Sequence, residues 1–476
     1  MPLQLQDLPV ELLQLVCSFF CMHCHDVNFH QTQFRLSCGL EKDELETWES
    51  HMRQHRLPLV ALCQTSKYLR ELATPYLYHA VYTFGGYYKL PLDPQRNESL
   101  RRFMTTIQSR PELINHVRFI DLPLHDGYRY GMPHIPPNGE TMIWFHHLVL
   151  SRASAIETMN LGEAGADIAG VMFRTLTAQE LRFLTTLQVE GGEEPDTSPD
   201  LPSLLQVAPN LRALYLHNFD ISTVGPIQPH LLAQVTTLSL GLSVLDKPSI
   251  LSMIDGCGGL QDFSLDLQDA KTTQAVQSQH THKDSDLEYI EIHAEIQGIL
   301  SRLVSHHQTT LRAVSVAINH SDVIGDGKLV TRPVSEFFCR GFSECPNLKA
   351  IGLDVPILRR GRPELGTSLS MFPGLLPSSL ERLYLEDPLI NSRYSASLLL
   401  SLERALQSGR LPNLKEVCFP TWAGDLDDKD DTGYKIPDEA SEKAVGLVGM
   451  IKLWETHNPG FTFLTEHRPY RAYEFF

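Results

Sequence analysis

One apolar pattern, apolar-x-x-apolar-x-apolar, returns ten times along this chain and narrows what it can fold into more than any other feature. It appears as Ile114-Val117-Phe119, Ile156-Met159-Leu161, Leu184-Leu187-Val189, Leu211-Leu214-Leu216, Val235-Leu238-Leu240 and Leu260-Phe263-Leu265. It continues as Leu311-Val314-Val316, Leu348-Ile351-Leu353, Leu380-Leu383-Leu385 and Leu414-Val417-Phe419. An eleventh match, Leu287-Ile290-Ile292, also reads as a helix running on through Ile296, Leu300 and Leu303. The last two apolar residues of each copy are two apart, so they share one face of a strand. Helix-period segments precede the copies: Leu398, Leu402, Ala405 and Leu406 form one stripe, and Pro248 and Pro333 open two others. The predicted unit is therefore helix, turn, short strand.

One such unit cannot bury its own apolar face, whereas a stack of them makes a continuous core. The closest copies are spaced 27, 24 and 25 residues apart, inside the period of about 20–29 residues of leucine-rich repeats. Wider spacings elsewhere call for insertions. A doubly wound α/β sheet would alternate strands and helices in the same way. The shared strand signature favours the stack, as do Pro209-Asn210-Leu211, Pro346-Asn347-Leu348 and Pro412-Asn413-Leu414. The expected fold class is α/β: a small helical domain over 1–85, then a degenerate leucine-rich-repeat solenoid over 86–476. Parallel strands line its concave side and helices its outside. A cap formed by Ala440, Ala444, Leu447, Val448, Ile451 and the strand-like Phe461-Thr462-Phe463 closes it.

The amino end carries two further segments. Leu8-Pro9-Val10-Glu11-Leu12-Leu13 reads as a helix start, with Pro9 in the first turn and Glu11 facing the positive end of the dipole. Leu12, Val16, Phe19 and Phe20 recur at helical spacing. Leu59 to Arg70, then Ala73-Thr74-Pro75-Tyr76-Leu77-Tyr78, reads as helix, break, helix, with Ser66 as cap. In this order the two segments resemble the F-box, whose members dock onto the Skp adaptor of a cullin–RING ubiquitin ligase. The resemblance implies that Leu8, Pro9, Glu11, Leu12, Leu13, Leu59, Leu62, Leu69 and Leu77 contact the adaptor. The family often has a Trp in the later helix; Tyr68 stands nearby here. The Cys345-Pro346-Asn347-Leu348 form is similar to the repeats of F-box leucine-rich proteins, although the Asn that usually follows the strand is missing.

Residues 21–56 separate the two segments as a Cys/His-rich insertion. Cys21-x-x-Cys24 and His51-x-x-x-His55 each have the spacing of a zinc ligand pair. The 26 residues between the pairs exceed the 12 or so of the common two-Cys, two-His finger. The favoured expectation is small buried thiols and surface histidines, and no cofactor. A similar Cys-x-His-Cys follows the first helix in fungal F-box-like proteins, which suggests a packing feature.

The formal charge of −17 argues against a nucleic-acid surface, which needs clustered Lys and Arg. No apolar run is long enough to span a membrane, and the first apolar stretch lacks the basic flank of a signal peptide. Nine cysteines in 476 residues suit a reducing compartment, cytosol or nucleus. No nucleophile elbow, phosphate loop or His-Glu-x-x-His motif is present, so no enzyme is expected. The acidic stretch 424–433 reads as a solvated loop. The expected function is the substrate-recognition subunit of a Skp–cullin–F-box ligase; the alternatives are a scaffold without ubiquitin transfer, or a zinc protein with a cryptic site. Alternate strand residues would face a client protein, with Tyr215, His217, Asp262, Asp266, Asp354, Tyr384 and Glu386 as candidates.

Overall fold

In a computed structural model, residues 5–25, 42–82, 102–103, 105–122, 154–161, 181–190, 201–223, 227–272, 285–318, 341–354, 372–386, 401–418 and 462–464 are described. Two compact units divide the chain, Met1–Gln234 and Val235–Phe476. The expected cap helix, the acidic loop and the segment opened by Pro333 fall largely or wholly outside the described residues.

The first unit starts with helices α1 (Val10–Phe19), α2 (Met22–His25), α3 (Lys42–Thr65) and α4 (Lys67–Leu77). Ser66 caps α4, its hydroxyl accepting from the Leu69 N–H at 3.1 Å. Pro75 lies within the last turn of α4, where the helix is about to stop. Helix α3 carries Pro58 internally and joins 42–56 to the second motif segment, so part of the supposed insertion is an extension of a motif helix. Five parallel strands follow, paired in chain order: β1 (Ala80–Tyr82), β2 (Phe119–Leu122), β3 (Thr158–Leu161), β4 (Thr186–Glu190) and β5 (Ala213–Asp220).

The second unit holds β6 (Thr237–Leu245), β7 (Asp262–Thr272), β8 (Ala313–Ile318), β9 (Ala350–Asp354), β10 (Arg382–Glu386), β11 (Glu416–Cys418) and β12 (Thr462–Leu464). These too are parallel and in chain order. Within each unit the order never reverses, as a doubly wound sheet would require. The architecture is α/β with all-parallel strands, compatible with a solenoid. Helices Lys247–Gly256 and Ser285–His307 connect strands as expected, and Asp246 caps the former by accepting from the Ser249 N–H. The eleventh pattern match is thus helical. The connection from β4 to β5 also carries a short α-helix, Leu201–Val207, whereas others carry 3-10 helices, such as Pro111–His116 and Phe372–Leu375.

The pattern residues are the core. From Leu184 to Leu385 every anchor of the copies on strands has at most 1 % of its surface exposed. One frame was misread. Phe119 pairs with Thr158 and Ile120 with Met159, so the copy on β2 is Val117-Ile120-Leu122, three residues later than Ile114-Val117-Phe119.

The coils are joined at fixed points. The carbonyl of the residue ahead of a strand accepts two N–H groups from the next coil: His79 O from Arg118 and Phe119, Arg118 O from Glu157 and Thr158, Arg312 O from Lys349 and Ala350. The Pro-Asn-Leu asparagines add a side-chain tie. Asn210 donates to Arg182 O (2.6 Å), Asn347 to Thr309 O (2.6 Å) and Asn413 to Ser378 O (2.9 Å), each carbonyl two residues ahead of the previous coil's first anchor. Asn347→Ala should lower stability by about 1 kcal/mol, the net worth of one such bond; denaturant unfolding measures it. Charges alternate along the same column: Glu381 sits between Lys349 (2.8 Å) and Lys415 (2.9 Å), which hold its carboxyl down to about 2.

His307, in the pair His306-His307, is a structural residue. Its Nδ1 accepts from the Leu260 N–H (3.3 Å) and its Nε2 lies 3.0 Å from the Ile254 carbonyl, while burial lowers its pKa. Among the described residues no helix is long and apolar enough to cross a membrane.

Candidate functional site

Helix α1 is apolar on two faces. Leu13 and Cys17 are each 2 % exposed and point inward. Cys17 joins Leu59 and Ala73 in a cluster against which Phe20, Leu62, Cys63, Tyr76 and Leu77 pack. Leu12, Leu15 and Phe19, at i, i+3 and i+7, share the other face and are 47 %, 65 % and 56 % exposed. The inward stripe therefore runs one position away from the Leu12-Val16-Phe19 row that periodicity selected. Among the described residues eight large apolar side chains are exposed, and seven of them lie between Leu5 and Tyr68. Contiguous exposed apolar patches mark interaction sites, and Leu12, Leu15 and Phe19 are the members of this set that share one helix face.

The predicted adaptor residues separate accordingly. Pro9, Glu11 and Leu12 are exposed and Leu8 is half-buried. Leu13, Leu59 and Leu69 are at most 5 % exposed and hold the helices together, with Leu62 and Leu77 packed beside them. Leu15 and Phe19 were missed. Placing the inward stripe on Leu13, Cys17 and Phe20 would have found them, 100° per residue away.

The predicted client row is corrected. Tyr215 (8 %), His217 (7 %), Asp266 (7 %) and Tyr384 (2 %) are buried and cannot serve as exposed anchors. Tyr384 packs with Ala313, Ala350 and Cys418 of neighbouring strands, whose small side chains leave room for its ring. Asp262 is half-buried, accepts from the Thr237 hydroxyl at 3.1 Å and has its carboxyl pushed up by burial. The side chains of Asp354 and Glu386 lie outside the described residues.

A second cluster forms where the helices meet the first strands. Cys21 follows α1, His23 and Cys24 lie in α2, and His79 stands just ahead of β1. One ligand-type atom from each lies within 4.8 Å of all the others. His79 Nδ1 is 3.2 Å from Cys24 Sγ and 3.7 Å from Cys21 Sγ. His23 Nδ1 is 3.8 Å from Cys24 Sγ, and its Nε2 is 4.0 Å from a carboxylate oxygen of Glu157. The hydrogen bond from Cys24 pulls the Cys21 thiol well below the usual range, against the effect of burial, and the Cys24 thiol is raised in consequence. None of the seven cysteines among the described residues is in a disulfide. The Cys-x-x-Cys half of the sequence-derived zinc set is thus present, but His55 is not in the cluster, and the His51 side chain lies outside the described residues. His23 and His79 stand in the two remaining places.

No protein-family profile matches the chain, and no curated protein matches it by sequence.

Proposed function

We propose that the chain is the substrate-recognition subunit of a Skp–cullin–F-box ubiquitin ligase, its helical domain an F-box and its stacked strands a leucine-rich-repeat receptor. The observation that carries this reading is the second apolar face of α1, with Leu12, Leu15 and Phe19 turned outward beside the exposed Pro9 and Glu11. A helix that only supported its own domain would bury one stripe and solvate the rest. The helix order, the Ser66 cap and the Leu-rich second segment support the same resemblance.

The chain then acts by proximity. Tethering a client beside the loaded conjugating enzyme raises the effective concentration of its lysines to the millimolar range or so. Because Tyr215 and Tyr384 are buried, the client surface belongs elsewhere on the repeats. Reconstitution tests this: with Skp adaptor, cullin–RING core and conjugating enzyme, proteins co-purifying with the chain should acquire ubiquitin chains that depend on its presence. Adaptor binding with no ubiquitin transfer to any co-purified protein would favour the scaffold reading instead.

A further inference from the structure

We infer that Cys21, His23, Cys24 and His79 bind a zinc ion that fastens the helical region to the first strands of the same unit. The donor set comes first. Two thiols and two imidazoles are the ligands of structural zinc, and four protein ligands leave no open coordination position. The geometry comes second. Zinc bonds of about 2.0–2.3 Å make a tetrahedron with edges of roughly 3.3–3.8 Å. Three of the edges here are 3.2, 3.7 and 3.8 Å, and none exceeds 4.8 Å. Closing the set around an ion therefore needs movements of roughly 1 Å at most.

The surroundings supply the third argument. A zinc-bound imidazole commonly gives its other ring N–H to a carboxylate, which fixes the tautomer and the ring plane. His23 is oriented for this, with Nδ1 toward the Cys24 sulfur and Nε2 4.0 Å from a Glu157 oxygen, about 1 Å beyond hydrogen-bond length. Arg118 Nη1 stands 3.6 Å from the other Glu157 oxygen and orients that carboxylate in turn. Access comes last: Cys21 is 4 % exposed while Cys24 is open to solvent, so an ion has a way in and a partly dry place to sit.

The ligands come from parts of the chain that local structure alone leaves independent. Cys21 and Cys24 bracket the turn out of α1, and His79 is 55 residues beyond Cys24, between α4 and β1. Glu157 stands ahead of β3. An ion here would tie the helical elements to β1 and, through Glu157, to the start of β3.

The test is elemental analysis of the full chain purified under reducing conditions. It should carry about one zinc per chain. Cys24→Ser combined with His79→Asn should bring this below about a tenth, while His55→Ala should leave it unchanged. To keep the test independent of the double variant's folding, the wild type is also loaded with cobalt(II). The expected spectrum has the strong visible bands of tetrahedral cobalt and a sulfur-to-cobalt charge-transfer band, and zinc should bleach both. A zinc-free wild type that gives no such spectrum would overturn the inference, as would undiminished zinc in the folded double variant. Neither result depends on Leu12 and Leu15, so the adaptor proposal stands or falls separately.

Discussion

Leu12→Asp with Leu15→Asp should abolish capture of the Skp adaptor while leaving the fold intact. Both side chains are largely exposed, so the folded protein loses little by the exchange; surface substitutions of this kind usually shift stability by no more than about 0.5 kcal/mol. Leu12 lies in the first turn of α1, where a carboxylate even complements the helix dipole. In the complex the same two leucines, 47 % and 65 % exposed beforehand, would be buried, each contributing about 1–2 kcal/mol. Losing both weakens binding by about a hundredfold or more, before the cost of desolvating two carboxylates is added. Calorimetric titration with purified adaptor, beside a thermal melt of each protein, checks both halves. Unchanged adaptor affinity in the folded variant would place the docking surface elsewhere.

The second large effect belongs to the core. Phe263→Ala should destabilise the second unit by about 3–5 kcal/mol, the usual cost of emptying a phenylalanine site. The side chain is fully buried on β7, and its residue pairs with Leu238 on β6 and Val314 on β8, each the middle anchor of its own copy. A cavity there removes contacts from three coils at once. For a unit of this size the melting temperature should fall by roughly 10 °C. Phe183→Ala is the control: that ring is 45 % exposed, packs under Arg182, and should cost less than about 1 kcal/mol. Equal losses at the two sites would mean that the repeated apolar positions do not form the core.

The repeated strands were legible because each coil must bury its anchors in the same way. The pattern of spacing and burial therefore carries the pairing with it inside each unit, from Leu187 to Leu216 in the first and from Leu238 to Leu385 in the second. The frame failed on β2 for a specific reason. Ile114, Val117, Phe119, Ile120 and Leu122 contain two overlapping matches, and only the pairing of Ile120 with Met159 chooses between them. Strand β1 offered even less: in its frame Tyr78, Val81 and Thr83 would be the anchors, too weak a match to stand out.

Burial on the other face of the strands depends on neighbours rather than on alternation. Tyr384 looked like an exposed anchor from its own strand. It is covered because Ala313, Ala350 and Cys418 are small enough for it to pack against them. That information is spread over three strands more than a hundred residues apart in sequence from end to end. The Cys/His cluster was half legible. Cys21-x-x-Cys24 has a local signature, and His23 lies inside it. His79 has none, because helix α4 and the turn into β1 bring it back across 55 residues.

Titration of the purified full chain with purified Skp adaptor decides whether the outward face of α1 is a docking surface. Saturable binding of one adaptor per chain is expected, with a Kd of about 1 μM or tighter. Adaptor that is competent toward a known F-box but gives no binding with this chain, folded and at concentrations well above 1 μM or so, would contradict it.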